Sequence, residues 1–232
     1  LTEEYAVIGV DLANENTYWK IKSINDGIFP LISEDPKIEE FFERSREQGN
    51  LLATYDPVAY KYADVVIVDI NLDVKKISEE CGVLKEFDVD LSGFKAAIRS
   101  VGAHCRDNVL VLVETTVPPG TCENIVKPII EDQLTQRGLT TAKYRLGHSY
   151  ERVMPGPEYI DSIREFPRVY SGCNVASADA IEAFLNTIID TNKYPLTKLS
   201  TIRSVETAKI IENTYRAVNI ALIDEWTRFA EK

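Results

Sequence analysis

Histidine and paired cysteine are scarce in this chain, and each scarcity removes a class of function. Only two histidines, His104 and His148, occur in 232 residues. They are too few and too far apart to found a metal site, so no metal is expected. The four cysteines, Cys81, Cys105, Cys122 and Cys173, show no C-x-x-C spacing. A chain of this size does not depend on a disulfide framework, and they read as thiols of a reducing cytoplasm. No apolar run approaches the roughly 20 residues of a membrane span. The N-terminus lacks the basic-then-apolar pattern of a signal peptide. A soluble cytoplasmic protein with no membrane partner is therefore expected. Basic residues are also outnumbered, 26 Lys+Arg against 37 Asp+Glu, for a formal net charge of -11. Phosphate-backbone binding needs a basic surface, so nucleic acid is not expected as a partner. A few local donors can still hold a phosphorylated cofactor. Internal repeats and low-complexity segments are lacking too.

What is present is an ordinary globular balance, 44% hydrophobic and 27% charged, enough for one large α/β domain with a short attachment. Short β-branched runs read as buried strands: Tyr5 to Asp11, Leu51 to Tyr55, Ala63 to Ile70 and Asn108 to Glu114. Later strands are expected near Arg145 and from Arg168 to Ser171. Between them lie helical stretches: Tyr18 to Asn25, Pro36 to Gln48, a short one at Pro57 to Tyr62, Leu91 to Val101, Thr121 to Arg137 and Ala176 to Ile189. The stretch from Asn71 to Asp90 is polar and carries no clear period. Strand and helix in alternation predict an α/β, Rossmann-like parallel sheet with helices on both faces. From about Ser204 the chain has no Gly or Pro, and Val205, Ala208, Ile211, Tyr215, Val218, Leu222 and Phe229 recur near one face. This predicts one long helix of the kind that joins domains or builds an interface. The expected division is 1–198 for the Rossmann-like domain and 199–232 for the start of a central helix.

Four constellations could carry chemistry. Asp11 ends the first strand, where an acid can accept from the ribose hydroxyls of a dinucleotide, or can merely cap the next helix. In the first role a glycine turn should precede it by roughly 20 residues, and the chain offers no such turn. Glu114-Thr115-Thr116-Val117-Pro118-Pro119-Gly120-Thr121 stops a strand with two prolines and leaves hydroxyls at its carboxyl edge, where ligands bind in such sheets. It could equally be a plain strand-to-helix turn. In His148-Ser149-Tyr150-Glu151-Arg152-Val153-Met154-Pro155-Gly156, adjacent opposite charges either form a surface ion pair of little worth or aim a carboxylate at a ligand. Lys209, Asn213 and Arg216 lie at i, i+4 and i+7 of the long helix. That stripe is either a solvated face or a row of donors able to steady an oxyanion.

Taken in order, VIGVD, IKSINDGIFP, LLATYD, ADVVIVDI, VETTVPPGT, SYERVMPG and ETAKIIENTYRAVNIALIDE resemble the UDP-glucose/GDP-mannose dehydrogenase family over nearly the whole chain. The Arg-Val-x-Pro-Gly after the loop glutamate is similar to the branch acting on UDP-N-acetylhexosamine-type or uronic-acid-forming substrates. The resemblance implies NAD as cofactor, a UDP-sugar as substrate, and oxidation of its C6 alcohol to a carboxylate by two hydride transfers. A cysteine would capture the aldehyde in between. It implies that Asp11 holds the adenosine ribose with Lys20 nearby, and that Thr116 positions a water and the cofactor. It further implies that Glu151 does acid–base work, and that Lys209 and Asn213 bind the reacting end of the substrate. A homodimer through the central helix is also implied.

Tyr150 stands where the family commonly has proline, and Thr115 where it commonly has serine. None of the four cysteines matches the family nucleophile, and the glycine turn and first strand are missing. The expectation is a piece of a longer enzyme, truncated at both ends and inactive alone. The alternative is a non-catalytic relative that keeps the fold as a dimerisation or regulatory module. A phosphogluconate-type hydroxyacid dehydrogenase also uses Lys and Asn on a helix, but VETTVPPGT and SYERVMPG argue against it.

Overall fold

The computed structural model describes residues 5–72, 74–80, 83–154 and 156–231; Cys81 and Pro155 lie outside them. In chain order come β1 (Val7–Val10), α1 (Tyr18–Asn25), α2 (Pro36–Gln48), β2 (Leu51–Thr54), a 3-10 turn (Pro57–Tyr62) and β3 (Val65–Val68). Next are β4 (Val74–Glu80), β5 (Val83–Val89), α3 (Ser92–His104), β6 (Leu110–Val113), a π turn (Cys122–Val126) and α4 (Lys127–Gln136). The chain continues through β7 (Arg145–His148), α5 (Tyr159–Arg164), β8 (Val169–Gly172), α6 (Val175–Leu185) and β9 (Thr197–Lys198) to α7 (Ile202–Ala230).

The main sheet has the order β3-β6-β7-β8-β9. β6 lies inside it between β3 and β7, and every residue of its LVLV run is buried, as a strand covered on both faces needs. Alternation along the strand divides the core into two. Val111 and Val113 pack with Phe94 and Ile98 of α3 and Ile130 and Leu134 of α4. Leu110 and Leu112 pack with Ile181 and Leu185 of α6 on the opposite face. Each such side chain, fully buried, contributes about 1.5–3 kcal/mol.

The expected α/β layering is therefore present, with three differences of detail. β3–β6 and β6–β7 are parallel, but β8 pairs antiparallel with β7. Gly147 makes that reversal fit: a Cβ there would overlap the Ser171 carbonyl oxygen and the Ile181 side chain. The polar stretch after Asn71 contains an antiparallel hairpin, β4 with β5, paired with no other strand among the described residues. Finally, β1 and β2 pair in parallel as a sheet of their own, separate from β3.

α2 illustrates how local sequence sets an element. Asp35 accepts from the Lys37 amide at 2.9 Å, Pro36 opens the first turn, and Gly49 closes the helix with φ 69°. The second Asp35 oxygen accepts from the Ile160 amide at 2.8 Å and so ties α2 to the start of α5. α7 runs 29 residues. Its buried residues are confined to Ile202, Val205, Glu206 and Lys209, and every position from Thr214 to Glu231 is exposed. No helix among the described residues is long and apolar enough to cross a membrane.

Candidate active site

The carboxyl ends of β3, β6 and β7 meet the first turns of α7, and the expected residues gather there. After β6 the chain must leave the sheet, and Pro118 and Pro119 end the pairing. The two threonines divide their roles. The buried Thr115 hydroxyl accepts from the Ile70 amide at 2.8 Å and donates to the Val68 carbonyl at 3.2 Å, bracing β3 against β6. The Thr116 residue is exposed. Gly120 then turns with φ +92°, a conformation that suits glycine alone, and the helical π turn begins.

That turn is held by a residue to which the sequence assigned no role. Glu206 is fully buried on α7, and its carboxylate accepts from the amides of Gly120 and Cys122, the latter at 2.8 Å. An anion is favoured at a helix N-terminus, so Glu206 locks α7 to the loop carrying Thr116. The same anion, together with burial, pushes the Cys122 thiol well above its usual range, burial being the larger cause. An inert Cys122 accords with its lack of match to any nucleophile.

Lys209 lies one turn further along α7. Its Nζ donates to the Glu151 backbone carbonyl at 2.9 Å and stands 3.7 Å from Glu151 Oε1. Glu151 Oε2 accepts from the Val153 amide at 2.7 Å, which fixes the loop after β7. Tyr150 gives that loop a second anchor. Its buried hydroxyl donates to Glu212 Oε2 at 3.1 Å, its ring lies 5.1 Å from Lys209 Nζ, and Arg152 pairs with Glu212 Oε1 at 3.1 Å. Burial, then the Glu212 charge, pushes the Tyr150 phenol up to about 12, so it remains a donor.

Two cavities open here and share a wall. One, of about 350 Å³, is lined by Thr116, Glu151, Lys209, Asn213 and Arg216 among others. The other, of about 370 Å³, is lined by Asp69, Thr115, Thr116 and Glu151 among others. Thr116 and Glu151 line both. Asp69 ends β3 with an exposed surface, yet partial desolvation, and secondarily the Glu151 charge, holds its carboxyl above the usual carboxylate range, with Lys209 opposing.

Beneath the wall is a buried ion pair. Arg168 Nη1 donates to Glu114 Oε1 at 2.8 Å. Burial pushes the Glu114 carboxyl up and the Arg168 charge opposes it. Beside the pair, His148 Nε2 is 3.1 Å from the Thr115 carbonyl oxygen. A carbonyl only accepts, so Nε2 carries the proton, and Nδ1 is a buried acceptor with no partner among the described residues. Burial lowers the His148 pKa, so the ring stays neutral. Arg168 carried no signal in the sequence, because a lone arginine before a short strand matches no motif. Glu206 could have been suspected from its place one turn before Lys209.

Asp11 and Lys20 do not line these cavities. Asp11 is exposed at the carboxyl end of β1, its Oδ1 accepting from the Leu12 amide at 2.7 Å. Lys20 is half-buried on α1, 5.9 Å from the Trp19 ring. An exposed acid at a parallel strand's carboxyl end suits the ribose end of a dinucleotide. The Thr116 edge suits the other end. No G-x-G-x-x-G cradle for the pyrophosphate occurs in the sequence. Among the described residues no cluster of His, Cys, Asp and Glu could hold a metal ion.

A model of the UDP-glucose/GDP-mannose dehydrogenase family, NAD binding domain, matches residues 2–189. The chain is 31% identical over 228 residues to a UDP-N-acetyl-D-mannosamine dehydrogenase of Methanocaldococcus jannaschii, covering 98% of this chain and 47% of that protein. It is 32% identical over 219 residues to a UDP-N-acetyl-D-glucosamine 6-dehydrogenase of Pseudomonas aeruginosa, covering 94% and 46%. Among solved structures it is similar to a GDP-mannose dehydrogenase ternary complex from Pseudomonas aeruginosa, with TM-score 0.77, 25% identity and coverage of 96% and 47%. The chain thus spans about half the length of the relatives it matches.

Proposed function

Because this chain belongs to the UDP-glucose/GDP-mannose dehydrogenase family and carries its NAD-binding domain, we propose that it serves an enzyme oxidising the C6 alcohol of a UDP-sugar to the uronic acid, for glycan precursor synthesis. An N-acetylhexosamine is the favoured sugar, since relatives named for such substrates match nearly the whole chain. The observation that carries this reading is the shared wall. Thr116 and Glu151 stand between a cavity flanked by Lys209 and Asn213 and a second one flanked by Asp69 and Thr115. Two ligands that exchange a hydride need such adjoining spaces.

When bound, NAD+ supplies the hydride acceptor; Asp11 and Lys20 would hold its ribose end and Thr116 its reacting end. The rest falls to side chains of the chain itself. Lys209 Nζ uses one proton on the Glu151 carbonyl and has two left for the substrate oxygen. Its charge favours the oxyanion that grows as hydride departs. Asn213 adds a neutral amide donor one turn on. Glu151, with Oε2 anchored and Oε1 3.7 Å from Lys209 Nζ, would take the hydroxyl proton on Oε1 and later return it. We assign the covalent nucleophile to none of Cys81, Cys105, Cys122 and Cys173, and propose that residues 1–232 alone do not turn over. The exposed face of α7, including Tyr215, Val218 and Leu222, would be covered by a second copy in a homodimer.

Calorimetric titration with NAD+, for the chain and for Asp11→Ala, tests the cofactor half. Binding by the parent that weakens at least about tenfold in the variant is expected of the chain or of a longer form containing it. Equal binding by both would remove Asp11 from the site. Absorbance at 340 nm with UDP-N-acetylhexosamines tests the rest. Turnover by residues 1–232 alone would contradict the assignment of the nucleophile.

A further inference from the structure

One peptide in the wall of the site is fixed from both sides of β6. Thr115 is tied to β3 by its amide, which donates to the Val68 carbonyl at 3.2 Å, and by its hydroxyl, which accepts from the Ile70 amide at 2.8 Å. Its carbonyl is tied to β7, where the Nε2–H of His148 donates to it at 3.1 Å. With both ends of Thr115 held, the plane of the next peptide is set. That peptide is trans, so its carbonyl and its N–H point in opposite directions. The carbonyl faces the fully buried His148 ring, and the Thr116 N–H consequently faces outward. It donates to no group among the described residues. Thr116 is exposed and lines both cavities, sharing the one of about 350 Å³ with Lys209 and Asn213.

The placement of the ring follows from β7. Gly147 faces α6, where a Cβ would meet the Ile181 side chain. Alternation along the strand turns His148 to the opposite face. α7 packs against β7, and the charges of Glu206 and Lys209 both act on the ring. Nδ1 has no partner among the described residues, and an orphaned buried acceptor lowers stability. A phenylalanine would fill similar space without that cost. The ring is thus poorly suited to packing and well suited to presenting one donor.

We propose that His148 is a positioning residue: through the Thr115 carbonyl it aims the Thr116 N–H at an acceptor oxygen held beside Lys209 Nζ. The inference rests on the function proposed above, in which that oxygen is the C6 oxygen of the sugar. Negative charge grows there as hydride leaves. A backbone N–H already aimed at it adds to the Lys209 ammonium and the Asn213 amide without reorganising during the reaction. Aim matters, because a displacement of about 1 Å can cost about 10²-fold in rate. No proton changes hands at His148 itself; the ring stays neutral and only holds the carbonyl.

Spectroscopy and kinetics together separate aim from packing. In residues 1–232 without ligand, nitrogen-15 NMR should find the His148 proton on Nε2. His148→Phe removes the donor to the Thr115 carbonyl and should shift the Thr116 amide nitrogen of the same peptide. His148→Gln keeps a donor at the Nε2 position and should leave that nitrogen near its place in the parent. In an enzyme containing this chain, assayed with NAD+ and UDP-N-acetylhexosamines, His148→Phe should lower kcat by about 10–100-fold. KM for the sugar should move by less than about threefold, as when an interaction made only in the transition state is lost. His148→Gln should recover most of the lost kcat. A proton on Nδ1 overturns the inference, and so does a phenylalanine variant with the parent's kcat. Equal losses in the two variants, or a loss carried by KM alone, would do the same, marking packing or binding instead. Should His148→Phe fail to fold, His148→Asn, whose shorter amide does not reach the carbonyl, takes its place in both readouts. Absence of turnover in the unmutated enzyme would tell against the proposed function and leave the NMR comparison to decide the role of His148.

Discussion

At the scale of single residues, the site depends on groups whose neighbours fix their orientation. Lys209 is held by the Glu151 carbonyl and the Tyr150 ring, so its ammonium points at one place. In an enzyme containing this chain, Lys209→Ala should lower kcat by about 10²–10³-fold, the usual cost of losing one oxyanion donor. Initial rates would show it; a change in KM alone would assign Lys209 to binding only. His148 is a pH sensor of stability. Its ring is neutral and buried, with a pKa depressed below the usual value. As pH falls through about 6.5 the unfolded chain gains a proton that the native ring refuses, so its contribution is full above that pH and lost below it. Urea unfolding at pH 7.5 and 5.5 should show the stability advantage of the parent over His148→Gln shrinking on acidification. A constant gap would mean that His148 takes up its proton in the native state.

At the scale of elements, the Glu114–Arg168 pair clasps the end of β6 to the start of β8. Arg168→Ala strands a buried carboxylate and should cost about 3–5 kcal/mol. Adding Glu114→Gln to that variant should recover part of the loss, and denaturant midpoints decide it; no recovery would mean that Arg168 acts through packing. Elements were legible in the sequence wherever one force dominated. The limits of α1 and α2 and the core strand β6 followed from caps, prolines and an unbroken apolar run. β4 and β5 escaped because, among the described residues, their hairpin pairs with no other strand, and its sequence is charged rather than alternating. The antiparallel β8 was hidden too, since its direction depends on Gly147 and on packing against α6, which no local pattern records. Of the candidate site, Thr116, Glu151, Lys209 and Asn213 were singled out through motifs, and all four line one cavity. Glu206 and Arg168 were not, because each acts on a partner more than 50 residues away.

On the scale of the whole molecule, a second copy should cover the apolar face of α7. Trp226 and Phe229, 66% and 84% exposed, add to the proposed contact. Sedimentation should show a dimer that Val218→Glu converts to monomer without loss of helicity; a parent that stays monomeric at high concentration would refute this. The geometry of α7 gives that association a mechanical meaning. Only its first few turns are embedded, and the 18 residues from Thr214 to Glu231 project as a free arm of roughly 27 Å at about 1.5 Å per residue. Glu206 and Lys209 sit at the pivot. A swing of about 2° there moves the far tip by roughly 1 Å, and by the same leverage a partner gripping the tip steadies the pivot to a small fraction of an ångström. The proposed quaternary contact and the aim of the Lys209 ammonium are then two ends of one rigid beam.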